Sequence, residues 1–216
     1  MSLKTIEEKM NEGRQYRDIN VSQFETRAED DGRMTVRGYA TTFDEPYTLW
    51  SEDGYTVVEQ VDPHAFDECD MSDVIMQYNH EGRVFARNKN NTLKLNIDLH
   101  GLEIEAELSG TQIGRQLYEE IKGGYTDKMS FGFHVKKDKR EVTEDHENGT
   151  ITVLRTITSI DKLYDVSAVS IPANDATNIS ARNFGEGVIE EIKKELLARR
   201  AFELAKAKIK FYMEEY

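Results

Sequence analysis

Cysteine, proline and long apolar runs are scarce in this sequence of 216 residues. Its one cysteine, Cys69, excludes an internal disulfide, which is typical of a reducing compartment. The three prolines rule out proline-rich linkers. A membrane-spanning helix needs about 18 or more consecutive apolar residues, and no such run occurs, so we expect no membrane contact. The polar N-terminal stretch has no apolar signal core, so export by that route is not expected.

Basic residues are also few relative to acidic ones. The chain has 28 Lys and Arg against 41 Asp and Glu, which gives a net charge of −13. Binding to nucleic acid depends on clustered Lys and Arg at the phosphates, so this charge argues against a nucleic-acid partner. The acidic neighbours of Cys69 in FDECDMSD disfavour a thiolate, and we interpret this cysteine as structural or incidental.

Alternation of apolar and polar residues predicts that most of the chain is β-strand. Strands are predicted over residues 33–42, in TVVEQV and in LYDVSAVSI, and a hairpin is predicted over residues 91–108. Gly101 in that hairpin suits a tight turn with positive backbone φ. Asn148-Gly149 indicates the turn of a second, highly charged hairpin.

Helical patterns are fewer. Thr111 is a plausible N-cap of a helix over residues 111–124, which ends at two glycines. The segment after Gly187 has no helix breaker, and it carries one apolar stripe at Ile189, Ile192 and Leu196 and another at Leu197, Ala201 and Leu204. FDEPYTLWSEDGY is predicted as a loop, and the polar N-terminus as a frayed helix or a disordered arm.

These patterns place the chain in the α+β class and make it rich in β-structure. We expect a mostly antiparallel β-barrel or sheet core with flanking helices, because no alternation of strands and helices indicates a parallel sheet. The predicted organisation is a polar arm over residues 1–20, a main domain over residues 21–186 and a C-terminal helix over residues 187–216.

One predicted strand, DKMSFGFHV, carries a serine in an unusual setting. Its apolar side chains share one face, which points to a core, and they are Met129, Phe131, Phe133 and Val135. Ser130 faces the other way, beside a glycine that leaves the space around it open. This pattern has two interpretations, a half-exposed sheet edge or a nucleophile.

A serine nucleophile needs a base within hydrogen-bond reach and a third group that orients the base. Of the five histidines, His80 ends the alternating run DVIMQYNHE, on the same strand face as Met76 and Tyr78. That position suits a general base at the rim of a cleft. The alternative interpretation is that His80 has only a structural role. His134 shares the strand face of Ser130, but four residues along a strand span about 13 Å.

Several segments, taken in order, resemble the maturation serine proteases of tailed-phage proheads, the phage counterparts of the herpesvirus assembly protease. They are VRGYATTFDEPY, EQVDPHAF, the block from YNHEGRVFARN to DKMSFGF, and RTITSIDKLYDVSAVSIPANDAT, and they lie within residues 33–182. Two segments depart from the family pattern, with PHAF where PGAF is usual and FAR where LGR is usual. Neither departure touches the candidate residues.

The resemblance implies a herpesvirus-protease-like fold and assigns roles to residues of this sequence. Ser130 of MSFGF matches the nucleophile, His80 of NHE the general base, and Asp165 of LYDVS the acidic position that orients the base. A purely structural interpretation pairs Asp165 with Arg155 or Arg182, since burying an unpaired carboxylate is costly.

Other positions remain open as candidates for the site. Because the herpesvirus relatives use a second histidine as the third member, His134 and His146 are alternatives to Asp165, and Glu81 beside His80 is another. An oxyanion hole needs donors aimed at the developing charge. Candidates for oxyanion or substrate contacts are Phe131, next to the nucleophile, and Arg155.

The predicted function is that of a phage prohead maturation serine endopeptidase. The resemblance implies that it cleaves the scaffolding segment of the major capsid protein, and itself, inside an immature capsid in the cytoplasm of an infected or lysogenic bacterium. The implied partners are the capsid protein or scaffold and further copies of the chain, and no metal or cofactor is implied. The alternative is a non-catalytic scaffold protein with a β-rich domain and a helical tail. An esterase is disfavoured because the chain lacks a G-x-S-x-G elbow.

Overall fold

The computed structural model describes residues 13–19, 24–170, 187, 189–199 and 201–206. Eleven strands in this part of the chain form two sheets. The larger sheet contains β1 (Gln15–Ile19), β4 (Tyr47–Glu52), β5 (Tyr55–Val61), β6 (Ile75–Tyr78), β7 (Glu81–Arg87), β10 (Lys128–Asp145) and β11 (Thr150–Val169). The smaller sheet contains β2 (Glu25–Ala28), β3 (Met34–Thr42), β8 (Leu93–Ile97) and β9 (Gly101–Glu107).

The strands of the larger sheet follow the order β1-β10-β11-β5-β4, and the β6–β7 hairpin pairs with β11 beside this path. Pairing is antiparallel except where β11 meets β5 and β6. The predicted mostly antiparallel sheet core is therefore confirmed. Neither sheet is closed in the described part of the chain, so a barrel is not confirmed.

The core lies between the two sheets and the helix α1 (Gln112–Lys122). The strand face predicted to be apolar is buried, with Met129, Phe131, Phe133 and Val135 each at most 2% exposed. Thr111 caps α1 by accepting a hydrogen bond from the Gly114 amide at 3.0 Å, as the sequence predicted. A short 3₁₀-helix, Asn88–Asn90, links β7 to β8.

The β8–β9 hairpin forms, but its turn differs from the prediction. Asp98 accepts hydrogen bonds from the amides of His100 and Gly101 and closes a longer turn, which leaves Leu99 fully exposed at its tip. Gly101 does not have a positive φ. Glycine is required there because a Cβ would lie 2.0 Å from the carbonyl oxygen of Thr41 on the neighbouring strand β3.

Three predictions of local structure were wrong. Residues 15–19, expected in a frayed helix or disordered arm, form β1 on the edge of β10. Part of the predicted loop FDEPYTLWSEDGY forms β4, which pairs with β5 across a turn at Asp53-Gly54. The second strand of the predicted charged hairpin and most of the separately predicted strand LYDVSAVSI are one continuous strand, β11.

The C-terminal segment is helical over residues 189–199 and 201–206. Its first apolar stripe packs on the larger sheet, where Ile192 contacts Val57 and Val153. Its second stripe faces solvent, with Leu197 and Leu204 about two-thirds exposed. Among the described residues, no helix combines the length and apolar character needed to cross a membrane.

Candidate active site

Adjacent strands bring the three residues of the predicted triad together. Ser130 lies on β10, opposite Ser167 of β11, and Asp165 lies two residues before Ser167. β6 pairs in parallel with the part of β11 that contains Asp165, and the turn between β6 and β7 carries His80. The three side chains therefore meet although they come from three separate parts of the sequence.

A chain of hydrogen bonds links these side chains. His80 Nε2 lies 2.6 Å from Ser130 Oγ, and His80 Nδ1 lies 2.6 Å from Asp165 Oδ1. In the tautomer that a general base requires, Nδ1 donates to the carboxylate and Nε2 accepts from the hydroxyl. Ser130 and Asp165 are 0% exposed and the His80 side chain is 7% exposed, so water is largely excluded.

His80 reaches this position through a two-residue turn. Asn79 has φ 49° and His80 has φ 60°, between the paired residues Tyr78 and Glu81. Two positive φ values in succession define a type I′ hairpin turn, and Asn and His are among the non-glycine residues that adopt this conformation most readily. The prediction that His80 shares the strand face of Met76 was wrong, because the chain reverses direction at His80.

Asp165 is fully satisfied by hydrogen bonds and an ion pair. Its Oδ1 also accepts a hydrogen bond from Ser167 Oγ at 2.6 Å, and its Oδ2 pairs with the guanidinium of Arg14. These partners hold the carboxylate in the plane that faces His80. They also explain how a carboxylate is tolerated in a strand whose neighbours are buried.

The structural alternative for Asp165 does not occur as predicted. Arg155 is engaged elsewhere, because its guanidinium pairs with Glu59 and with Asp138. Arg182 lies outside the described residues. The cation that pairs with Asp165 is Arg14, which the sequence reasoning missed because it had assigned residues 1–20 to an arm.

Gly132 makes room for the Asp165 carboxylate. The two residues are direct partners across β10 and β11, and a Cβ on Gly132 would lie 2.2 Å from Asp165 Oδ2. The glycine two residues after the serine in MSFGF is therefore explained by the Asp165 carboxylate that lies against it. Ser130 itself is buried and hydrogen-bonded, so the half-exposed sheet edge is excluded.

The alternative third members are placed away from the triad. His134 is part-exposed and its Nδ1 lies 3.5 Å from Asp161. His146 is exposed in the turn after β10, and Glu81 is exposed at the start of β7. The position beside the His80 ring is occupied by Asp165.

The candidates for oxyanion or substrate contacts are also placed by the structure. The Phe131 side chain is in the core, stacked on Phe133 with ring centroids 4.4 Å apart, so it does not face the triad. Arg155 pairs in the sheet with both Arg140 and Glu59, and its side chain belongs to a buried ionic cluster. An oxyanion role for a backbone amide beside Ser130 stays a prediction.

Cys69 is not a rival nucleophile. Burial raises the pKa of its thiol to about 12, and the nearby acids Asp70 and Asp161 add to the shift. The thiol is therefore protonated at neutral pH, which agrees with its interpretation as structural or incidental.

A cavity of about 580 Å³ opens beside the His80 turn. It is lined by Tyr78 and Glu81, which flank that turn, and by Gln116 and Leu117 of α1. Its volume is in the range of pockets that hold small ligands or side chains. The cavity flanks the turn that carries His80, and none of the three triad residues lines it.

Comparisons with known proteins identify the family of this chain. The solved structure of the bacteriophage T4 capsid assembly protease, gp21, matches with 11% sequence identity and a TM-score of 0.37, over 74% of this chain and 99% of that chain. No curated protein matches the chain. The model of the family described as Caudovirus prohead serine protease matches residues 22–195, which include His80, Ser130 and Asp165. Since this match covers most of the chain, the protein belongs to the caudovirus prohead serine protease family, as the order of its sequence motifs predicted.

Proposed function

We propose that the protein is a serine endopeptidase of prohead maturation, with Ser130 as nucleophile, His80 as general base and Asp165 as the orienting acid. Its family is that of prohead proteases, so a protease role in capsid maturation follows from membership. One observation carries the assignment of residues, the buried hydrogen-bond chain in which both links measure 2.6 Å. A hydroxyl, an imidazole and a carboxylate linked in this order form the catalytic triad that serine proteases use for acyl transfer.

The proposed reaction proceeds in two steps through an acyl-enzyme. Ser130 Oγ attacks a peptide carbonyl while His80 Nε2 takes its proton and passes it to the leaving amine. Water then attacks the ester, and His80 returns the proton that it takes from water to Ser130. Asp165 keeps Nδ1 protonated and stabilises the imidazolium, and Ser167 donates the hydrogen bond that holds Asp165 in place.

The proposed substrate is the scaffolding segment of the major capsid protein in the immature capsid, and the protease itself is a second substrate. The proposed place is the procapsid, in the cytoplasm of an infected or lysogenic bacterium. We further propose that the protease assembles as a homo-oligomer, and that residues 21–186 form the catalytic domain while the segments before and after it are appended. The C-terminal segment is proposed to serve packaging, oligomer contacts or self-cleavage.

The rival function is a non-catalytic scaffold protein. A scaffold needs the β-rich domain and the helical tail, and it has no use for a buried serine bonded to a histidine. The exposed second stripe of the C-terminal segment fits an assembly contact, but both functions accommodate it. The two functions differ in their dependence on Ser130.

Covalent labelling with diisopropyl fluorophosphate tests the proposed function. This reagent phosphorylates a serine whose hydroxyl is activated by a base, and leaves ordinary serines unmodified. We expect intact-mass measurement on concentrated wild-type protein to show a single adduct, and peptide mapping to place it on Ser130. Ser130→Ala is expected to take up none.

The matched control is Ser51→Ala, which removes an exposed serine on β4. It should be labelled like the wild type. An unlabelled wild type, or an adduct that persists in Ser130→Ala, would contradict the assignment of the nucleophile and favour the scaffold.

Gly132→Ala should impair the reaction without touching a reacting group. The added methyl would meet Asp165 Oδ2 at 2.2 Å, so the carboxylate must leave the position in which its Oδ1 contacts His80. A displacement of about 1 Å in such a site costs on the order of a hundredfold in kcat, and we expect that loss in a peptide-cleavage assay. Gly110→Ala, whose methyl would meet nothing within 4 Å, is the control that should retain activity. If Gly132→Ala and Gly110→Ala have equal activities, the displaced Asp165 carboxylate still supports the reaction.

A further inference from the structure

The carbonyl group of Arg17 lies at the proposed nucleophile. Ser130 Oγ is 2.9 Å from the Arg17 carbonyl oxygen, so a C=O bond of about 1.2 Å puts the carbonyl carbon within about 4.1 Å of Oγ. Productive attack begins at separations of about 3–3.5 Å. The Ser130 hydroxyl is within hydrogen-bond distance of two acceptors, His80 Nε2 and this carbonyl oxygen. The contact with Arg17 therefore places a peptide carbonyl of the same chain directly against the Ser130 hydroxyl.

The residues just before Arg17 cover the rest of the triad. The ring of Tyr16 lies against the His80 imidazole, with centroids 4.3 Å apart. The guanidinium of Arg14 pairs with Asp165 Oδ2. One short segment, residues 14–17, thus contacts all three members of the triad.

The segment is held in the way that proteins often bind an extended peptide. β1 adds to the edge of β10 in antiparallel register, with Arg17 opposite Phe131. Strand addition of this kind supplies backbone hydrogen bonds, while pockets for alternate side chains supply specificity. The family match begins at residue 22, so β1 lies outside the part of the chain that the family shares.

The Arg17 side chain fills a buried acidic pocket. It is 3% exposed, and its Nε and Nη2 lie 2.5 and 3.1 Å from the two carboxylate oxygens of Glu59. Gln15 accepts a further hydrogen bond from Nη2 at 2.8 Å, and the Tyr47 hydroxyl donates to Glu59 at 2.5 Å. A bidentate pair in a buried pocket recognises a guanidinium by shape as well as by charge.

Glu59 is ionised in this pocket. Burial alone would raise the pKa of its carboxyl, but the guanidinium groups of Arg17 and Arg155 outweigh burial and lower it to about 2. The pocket therefore presents a carboxylate at neutral pH. When Arg17 leaves, Arg155 remains paired with Glu59, and the vacated space still faces an anion.

We propose that residues 14–17 are bound as an intramolecular substrate, that Ser130 cleaves the bond between Arg17 and Asp18, and that Glu59 selects a basic residue before the cleaved bond. This inference rests on the proposed function, because it uses the same triad. It adds a defined processing site and a substrate class, an extended peptide with a basic residue in the Glu59 pocket.

The reaction balances without a further reactant besides water. Ser130 Oγ forms an ester with the Arg17 carbonyl carbon as the bond to the Asp18 nitrogen breaks, and His80 carries the hydroxyl proton to that nitrogen. Water then hydrolyses the ester and restores Ser130. The products are a peptide of residues 1–17, which ends in a new carboxylate, and a chain that begins at Asp18. When this peptide leaves, the cleft is open to other substrates.

Intact-mass measurement on the concentrated full chain tests the inference. Wild type should convert over time into residues 1–17 and 18–216, while Ser130→Ala stays intact. Arg17→Ala should slow cleavage of that bond by at least about a hundredfold, because the bidentate pair with Glu59 that holds the residue before the bond is lost. Arg17→Lys keeps the charge but loses the bidentate pair, and it should slow cleavage by roughly tenfold.

Since Arg17→Ala removes a buried ion pair and can unfold the chain, two further measurements keep the test decisive. Glu59→Gln preserves the size of the pocket and should slow cleavage at the same bond. A coumarin amide of the peptide Gly-Arg-Gln-Tyr-Arg, the sequence of residues 13–17, should be hydrolysed by wild type, and the same peptide ending in Glu should not.

The outcomes separate this inference from the proposed function. Fragments produced only at other bonds, or an uncleaved chain whose Ser130 takes the fluorophosphate label, would overturn the inference and leave the protease intact. A chain that is neither cleaved nor labelled would overturn both.

Discussion

Replacing His80 by alanine is expected to slow peptide cleavage by about 10⁶-fold, the loss typical of removing a base that acts as a unit with its serine. The reason is that a neutral hydroxyl is a poor nucleophile, and the base that we propose for Ser130 is His80, whose Nε2 lies 2.6 Å from Oγ. Single-turnover kinetics on a fluorogenic peptide would measure the loss.

His146→Ala is the matched control, because His146 is exposed in the turn after β10. It should cleave at the wild-type rate, and both variants should keep the wild-type circular dichroism spectrum. A His80→Ala variant within tenfold of wild type would show that another group takes the Ser130 proton.

Replacing Asp165 by asparagine is expected to lower kcat by about 10⁴-fold while the fold is retained. An asparagine keeps the shape of the side chain but cannot stabilise the imidazolium, and its amide favours the wrong tautomer of His80. It also removes the anion that pairs with Arg14. Steady-state kinetics on a peptide substrate would measure the loss in kcat.

Asp161→Asn provides the comparison on the same strand. Asp161 is 59% exposed and lies 3.5 Å from His134, so its loss should leave kcat unchanged. If Asp161→Asn is the more damaging of the two, the third member of the site is His134 with its own acid, and Asp165 has a structural role.

The sequence predicted which three side chains the structure brings together, and it predicted their geometry only in part. The alternation around Ser130 predicts correctly which face of β10 is buried, because a strand between two layers repeats with period two. The same rule placed His80 on the wrong face. A period of two holds only while the strand continues, and Asn79 with positive φ ends β6 one residue before His80.

β1 was missed because its inward-facing side chains are not apolar. Gln15 and Arg17 alternate into the interior, at 7% and 3% exposed, where a pattern search expects leucine or valine. Their burial depends on Glu59, a residue far away in sequence. No local signal predicts that partner, and so the strand resembles a polar arm.

β4 was missed despite a usable signal. The run YTLWSE is rich in residues that favour strands, and Asp53-Gly54 after it is a common two-residue hairpin turn. Asp53 and Gly54 have φ of 51° and 79°, as that turn requires. The turn signal and the strand propensity of YTLWSE together are sufficient to predict the β4–β5 hairpin from sequence.

The long β10–β11 hairpin has a consequence for the order in which the chain folds. It is a local structure closed at Asn148-Gly149, and it already carries both Ser130 and Asp165. Contacts between distant residues form later because loop closure costs more entropy as the loop grows, and Arg17 is separated from Ser130 by 113 positions. β1 therefore leaves the ribosome first and docks late. Until it does, the edge of β10 is an unpaired template for any extended segment nearby.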